Sequence, residues 1–168
     1  MILFTLGTGV GGGVILDGSI YEGSGIGGSE LGHMVIVENG EPCTCGRRGC
    51  LEAYASVPAL IREALAAAGK ELTPEEIFAA AKEDPAVKEV VDTYIRRLGT
   101  GIVNAVNIFR PRLVLLGGRI SEQGDVLIKP LEEQIRQGCF GGEKSGITEI
   151  RTAVLGSHAG MIGAASLI

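Results

Sequence analysis

Glycine is spread along this chain so unevenly that the architecture must change partway through. The chain has 168 residues and 27 of them are Gly, about twice the usual share. More than half precede residue 51, whereas only Gly69 and Gly99 fall between residues 51 and 100. Glycine weakens the interiors of helices and strands, and serves best where backbone turns sharply or approaches something closely. The first third therefore reads as short strands and tight loops, and the Ala-, Glu- and Leu-rich middle as helices. No stretch looks like a flexible Gly/Ser or Pro-rich tether, and no period of solenoid length recurs. One domain over residues 1–168 is expected.

Periodicity supplies the elements. Ile2 to Leu6 and Val14 to Leu16 are apolar runs of strand length, joined through Gly7 to Gly13. Asp17-Gly18 signals a hairpin with Ser19 to Tyr21 on its far side. His33 to Val37 is a third β-like run. Ser56 caps a helix with Pro58 in its first turn, and Thr73-Pro74-Glu75-Glu76 is a capping box. Asp84-Pro85 opens a long helix carrying Val87, Val91, Tyr94, Leu98, Ile102 and Val106 at helical spacing. Gly99 and Gly101 inside it point to a close packing contact or a local break. Leu113 to Leu116 is a buried strand, Val126 to Gln137 a helix, Ile147 to Leu155 a last strand and Ala159 to Ile168 a last helix. Strands that come first together and then alternate with helices imply an α/β fold: a mixed sheet with helices on both faces.

Several function classes are disfavoured by composition. At 45% hydrophobic and 21% charged residues, the chain is not of the disordered type. A net charge of -5 argues against nucleic acid as a partner, because phosphate binding needs clustered Lys and Arg. No apolar run approaches the roughly 18 residues of a membrane span. Met1 to Gly13 lacks the basic start of a signal peptide, so a cytoplasmic location is expected.

Two glycine sites could approach a ligand. Gly7-Thr8-Gly9-Val10-Gly11-Gly12-Gly13 lies between two apolar runs. Its N–H groups and the Thr8 hydroxyl could cradle phosphate, or the segment could be a tight hairpin with no ligand. It is no Walker loop, since no Gly-Lys-Ser/Thr follows, and no dinucleotide fingerprint, since it leads into a strand. Gly117-Gly118-Arg119 follows a buried strand directly. That is where ligands sit in open α/β sheets, and also where any strand-to-helix turn lies.

Cys43, Cys45 and Cys50 fall within eight residues, and Cys139 stands apart. Without a secretory signal, metal binding is the better reading of such a cluster, against three reduced structural thiols. His33 completes the spacing His-x9-Cys-x-Cys-x4-Cys. Three thiolates and an imidazole close a tetrahedral zinc site with no open position, which makes the zinc structural. Glu30 lies three residues before His33, and Glu52 two after Cys50. The metal would draw Glu30, His33 and Glu52 into one neighbourhood. Their oxygens and free ring nitrogen suit the vicinal hydroxyls of a sugar, although lone surface carboxylates are common.

Taken in order, Leu6-Gly7-Thr8-Gly9-Val10-Gly11-Gly12-Gly13, Glu30-Leu31-Gly32-His33 and Cys43-x-Cys45-Gly46-x-x-Gly49-Cys50-Leu51-Glu52 resemble the ROK family of repressors, open reading frames and sugar kinases. The continuation Glu52-Ala53-Tyr54-Ala55-Ser56 looks most like that of the family's bacterial glucokinases. Leu113 to Gly118 and Ala159 to Ala165 match its late strand and closing helix, so the resemblance spans almost the whole chain. It implies the actin-like, hexokinase-type (ribonuclease H-like) fold with a five-stranded mixed sheet and a zinc-binding loop. It further implies an ATP- and magnesium-dependent hexose kinase, glucose being the first candidate substrate, that pairs as a homodimer. By resemblance, Gly7, Thr8 and Gly9 contact nucleotide phosphates and Gly117 and Gly118 line the adenosine side. Glu30, His33 and Glu52 hold the sugar, and His33, Cys43, Cys45 and Cys50 bind zinc.

The family's kinases also carry a preceding lobe with an Asp-x-Gly-Gly-Thr loop and an Asn-Asp pair, whose Asp is the general base. Neither motif occurs here, where the only Asp residues are Asp17, Asp84, Asp92 and Asp125. His158 stands where the family often has Asp. The chain is therefore expected to be the C-terminal lobe of a ROK sugar kinase, without catalytic residues of its own and inactive alone. The rival expectation is the sugar-sensing domain of a ROK repressor.

Overall fold

A computed structural model describes residues 1–25, 27–142, 148–156 and 159–166. The expected strand residue 147, the unusual His158 and the end of the last helix at 167–168 lie outside them.

Five strands form one mixed sheet in the order β3-β2-β1-β4-β5. These are β1 (Ile2–Leu6), β2 (Val10–Leu16), β3 (Ser19–Ile20), β4 (Leu113–Gly117) and β5 (Glu149–Thr152). β1 runs antiparallel to β2, with Ile2 opposite Val14 and Leu6 opposite Val10. It runs parallel to β4, with Thr5 opposite Gly117, and β4 runs parallel to β5. One sheet face carries Ile2, Phe4, Leu6, Val114, Leu116 and Ile150. All are buried in a single core with Leu98 and Ile102 of α4 (Pro85–Phe109) and Leu127 and Leu131 of α5 (Asp125–Gly138). On the opposite face Leu3 and Leu115 are half-buried and Thr5 is exposed. The closing helix, α6 (Ala159–Ala165), carries no buried residue among those described.

Two sequence expectations change. Gly11, Gly12 and Gly13 are not loop but strand, because β2 already begins at Val10. Glycine is needed there for room: a Cβ at Gly11 would stand 2.5 Å from the Thr5 hydroxyl, and one at Gly12 2.6 Å from Leu31. The connection between β1 and β2 shrinks to Gly7-Thr8-Gly9. Nor is His33 to Val37 a strand. A 3-10 turn covers Leu31–His33, and Val35 pairs singly with Cys50. The Ile36 and Val37 N–H groups donate to the Gly49 carbonyl at 2.8 and 3.3 Å. The segment is thus folded onto the cysteine loop, and Val35 and Val37 remain exposed. The short β3 supplies the fifth strand instead.

The helices start as their caps dictate. Asp84 accepts from the Ala86 N–H at 2.8 Å at the head of α4. Thr73 and Glu76 cap each other reciprocally at α3 (Pro74–Ala80). The Ser56 hydroxyl accepts from the Ala59 N–H at 3.4 Å at α2 (Val57–Ala68). α4 passes through Gly99 and Gly101 without a break. Gly99 abuts the Gln134 side chain of α5, and a Cβ at Gly101 would lie 2.5 Å from Leu51. These glycines are therefore close packing contacts, and the second seats the segment that carries the cysteines. Tyr94 of α4 adds a buried bond, its hydroxyl donating to the Ala55 carbonyl at 2.9 Å.

Candidate active site and metal centre

Because β1 and β4 are parallel neighbours, their carboxyl ends lie side by side, and each is followed directly by a glycine. β1 runs into the Gly7-Thr8-Gly9 turn, closed by the Gly7 N–H donating to the Gly9 carbonyl at 3.0 Å. The Val57 N–H at the head of α2 donates to the Gly7 carbonyl at 2.8 Å, fixing the turn against a helix start. β4 runs into Gly118, whose φ of 89° and contact with the Leu6 backbone leave no room for a side chain. The two glycine sites therefore form one feature of the sheet end, where ligands sit in open α/β sheets. Gly117 lies just behind, as the last residue of β4.

An open cleft of about 390 Å³ lies over this end. Its lining includes Gly7, Thr8, Gly9 and Gly118 of the two glycine sites together with Glu30, His33 and Glu52. Gly32 lets His33 reach the wall, since a Cβ there would collide with the Val10 carbonyl. Glu30 is exposed at the cleft edge, just ahead of the 3-10 turn.

Glu52 opens α1 (Glu52–Ala55) and is tied on both sides. Its Oε2 accepts from the Val10 N–H at 3.1 Å, and its Oε1 from the Thr44 hydroxyl at 2.9 Å. The Cys43 thiol reaches Oε1 at 3.7 Å. Burial works to raise the carboxyl, but the Val10 and Thr44 bonds with His33 and Cys43 outweigh it and hold it below the usual carboxylate range. Gly9 allows this approach, because a Cβ at that position would stand 2.5 Å from Oε2.

His33, Cys43, Cys45 and Cys50 bring their ligand atoms within 4.8 Å of one another. The His33 Nδ1 lies 3.6 Å from the Cys43 sulfur, and the Cys45 and Cys50 sulfurs are 3.7 Å apart. A tetrahedron with metal–sulfur bonds of about 2.3 Å has edges of about 3.8 Å. Two separations already match such an edge, and closing the others, at most 4.8 Å, would complete a tetrahedral set. Nδ1 faces the thiols, which leaves Nε2 for the cleft. Burial pushes the Cys50 thiol up to about 12, helped by the neighbouring sulfurs, while the Arg47 backbone N–H lowers Cys45. A metal entering the site must therefore displace protons. Cys139 is remote from the cluster in sequence and stands outside the ligand set.

Sequence reasoning missed Thr44 and the Val10 N–H. Thr44 carried a faint signal, as a hydroxyl residue between two candidate ligands. The Val10 contact carried none, because it depends on a backbone group.

Residues 1–168 match the ROK family along their whole length. The chain belongs to the ROK family. This ROK chain is 35% identical over 184 residues to a glucokinase of Halalkalibacterium halodurans, covering 100% of itself and 56% of that protein. It is 32% identical over 170 residues to a xylose repressor of Bacillus subtilis, covering 100% of itself and 44% of that protein. The structure of a ROK family glucokinase from Streptomyces griseus, in complex with glucose and AMPPNP, superposes with a TM-score of 0.88 at 32% identity. That superposition covers 99% of this chain and 59% of that one. The actin-like ROK kinase fold is thereby established for this chain, which spans about half the length of the curated relatives it matches. No helix among the described residues is long and apolar enough to cross a membrane.

Proposed function

We propose that this chain is the sugar- and nucleotide-binding C-terminal lobe of an ATP-dependent hexose kinase that converts glucose and ATP to glucose 6-phosphate. The observation that carries the reading is the cleft itself. It is lined by a glycine turn carrying the Thr8 hydroxyl and, beside that turn, by two carboxylates and an imidazole. The first suits phosphate and the second suits sugar hydroxyls.

In this reading Gly7, Thr8 and Gly9 hold nucleotide phosphates, and Gly117 and Gly118 border the adenosine. Glu30, His33 Nε2 and Glu52 hold the sugar hydroxyls and orient the one to be phosphorylated. Zinc on His33, Cys43, Cys45 and Cys50 is structural, and would keep His33 and Glu52 in place. Magnesium is expected with the nucleotide, where it would neutralise phosphate charge. Phosphoryl transfer also needs a group that activates the sugar hydroxyl, and that role falls to an upstream lobe. Pairing as a homodimer belongs to the same reading.

The similarity to a xylose repressor favours a second reading, a sugar-sensing domain. Calorimetric titration of the full-length protein separates them. A kinase binds both glucose and a non-hydrolysable ATP analogue. A sensor binds the sugar and gives no heat with the nucleotide, which would overturn the kinase reading.

A further inference from the structure

Thr44 has no part in the metal set, yet its hydroxyl is the nearest side-chain donor to Glu52. From this geometry we infer that Thr44 is a positioning residue that sets the orientation of the Glu52 carboxylate toward the sugar. The inference rests on the proposed role of Glu52 in sugar binding.

A carboxylate has about four lone-pair directions. The Val10 N–H occupies one on Oε2 at 3.1 Å, and the Thr44 hydroxyl one on Oε1 at 2.9 Å. Two remain for sugar hydroxyls, and their direction is fixed only while both anchors hold. The Val10 anchor alone leaves the carboxylate free to rotate about that bond. Thr44 removes this freedom.

The Cys43 thiol also reaches Oε1, at 3.7 Å. That contact cannot survive metal binding, because a ligating cysteine is a thiolate and has no proton to donate. The Thr44 hydroxyl is then the side-chain donor that the cysteine loop still offers Oε1. Its single proton goes to the carboxylate, since the Cys43 sulfur is farther from it, at 4.0 Å. Thr44 is exposed and fills no core, so packing does not account for the contact.

The test compares Thr44→Val, Thr44→Ser and Glu52→Gln in the full-length, zinc-loaded protein. The readouts are glucose affinity by calorimetry, the KM for ATP, and zinc content. Thr44→Val keeps the shape and removes the donor. It is expected to weaken glucose about fivefold to tenfold, less than the full loss of a bond to a charged group, because Thr44 acts on the sugar only through Glu52. Zinc content and the KM for ATP stay unchanged, and Thr44→Ser restores glucose affinity. Should Glu52→Gln weaken glucose while Thr44→Val changes it less than twofold, the positioning role is wrong and the sugar reading stands. Loss of zinc from Thr44→Val makes the role structural and also overturns the inference. If Glu52→Gln itself leaves glucose binding intact, the underlying sugar reading fails, and this inference with it.

Discussion

Stripping the metal with a strong chelator is expected to unfold the cysteine loop and to abolish tight sugar binding, while the helical core persists. Residues 34–50 have little core of their own. Val35 and Val37 are exposed, and no regular ladder forms: the bridges Val35 to Cys50 and Pro42 to Arg48 are joined only by scattered backbone bonds, such as the Cys43 N–H to the Arg47 carbonyl at 2.8 Å. The Glu41 N–H donating to the Tyr54 hydroxyl at 2.7 Å is one tie to the helices, and Leu51 against Gly101 is another. What organises the loop tip is the four-residue cluster. Without metal, Cys50 keeps its proton in a buried site and the tetrahedron has no centre.

Structural zinc supplies roughly 10 kcal/mol or more in isolated zinc-finger peptides. Here most of the fold is independent of it, so a loss of about 3 kcal/mol, or roughly 6–12 °C in Tm, is the expected scale. Hydrogen exchange reads the effect locally: amides of residues 34–50 lose protection on chelation, and those of α4 keep it. Unchanged protection in residues 34–50 would contradict a structural metal.

Glu52→Gln is the second large effect. The amide keeps the size of the side chain but loses its charge and half of its acceptor capacity. Its oxygen can satisfy the Val10 N–H, which turns the NH2 group toward Thr44 and the cleft. A donor then stands where a sugar hydroxyl needs an acceptor. Two weakened bonds to a formerly charged group correspond to a loss of roughly 100-fold in glucose affinity. The melting temperature should shift little, because Glu52 is not a core residue and Gln preserves the contact with Val10. Calorimetry with glucose, beside a thermal melt, separates a binding defect from a folding one.

What was legible in the sequence was whatever depends on local spacing. His33, Cys43, Cys45 and Cys50 could be read together because three of them share one short loop, and a metal needs only a few ångströms of closure. The caps at Ser56, Thr73 and Asp84 were legible for the same reason. Long-range packing hid the rest. The β-like run of His33 to Val37 has the length of a strand, but its partner is the cysteine loop rather than the sheet. The glycines at 11–13 look like loop until Thr5, Leu31 and the Ser29 carbonyl are brought against them. Gly99 and Gly101 could mean a break or a contact, and only Gln134 and Leu51 decide between the two. Glu30, His33 and Glu52 line one cleft, as their spacing suggests. The anchoring of Glu52 by a backbone N–H and Thr44 could not be read, because it depends on β2 and the cysteine loop meeting in space.

In the proposed function this cleft serves phosphoryl transfer to a hexose. The most direct measurement is the formation of glucose 6-phosphate from glucose and ATP by the full-length protein, followed beside ADP release. One sugar phosphate is expected for each ADP, with negligible turnover by residues 1–168 alone. Normal turnover by residues 1–168 alone, or sugar binding by the full-length protein with no phosphorylation of any hexose, would contradict it.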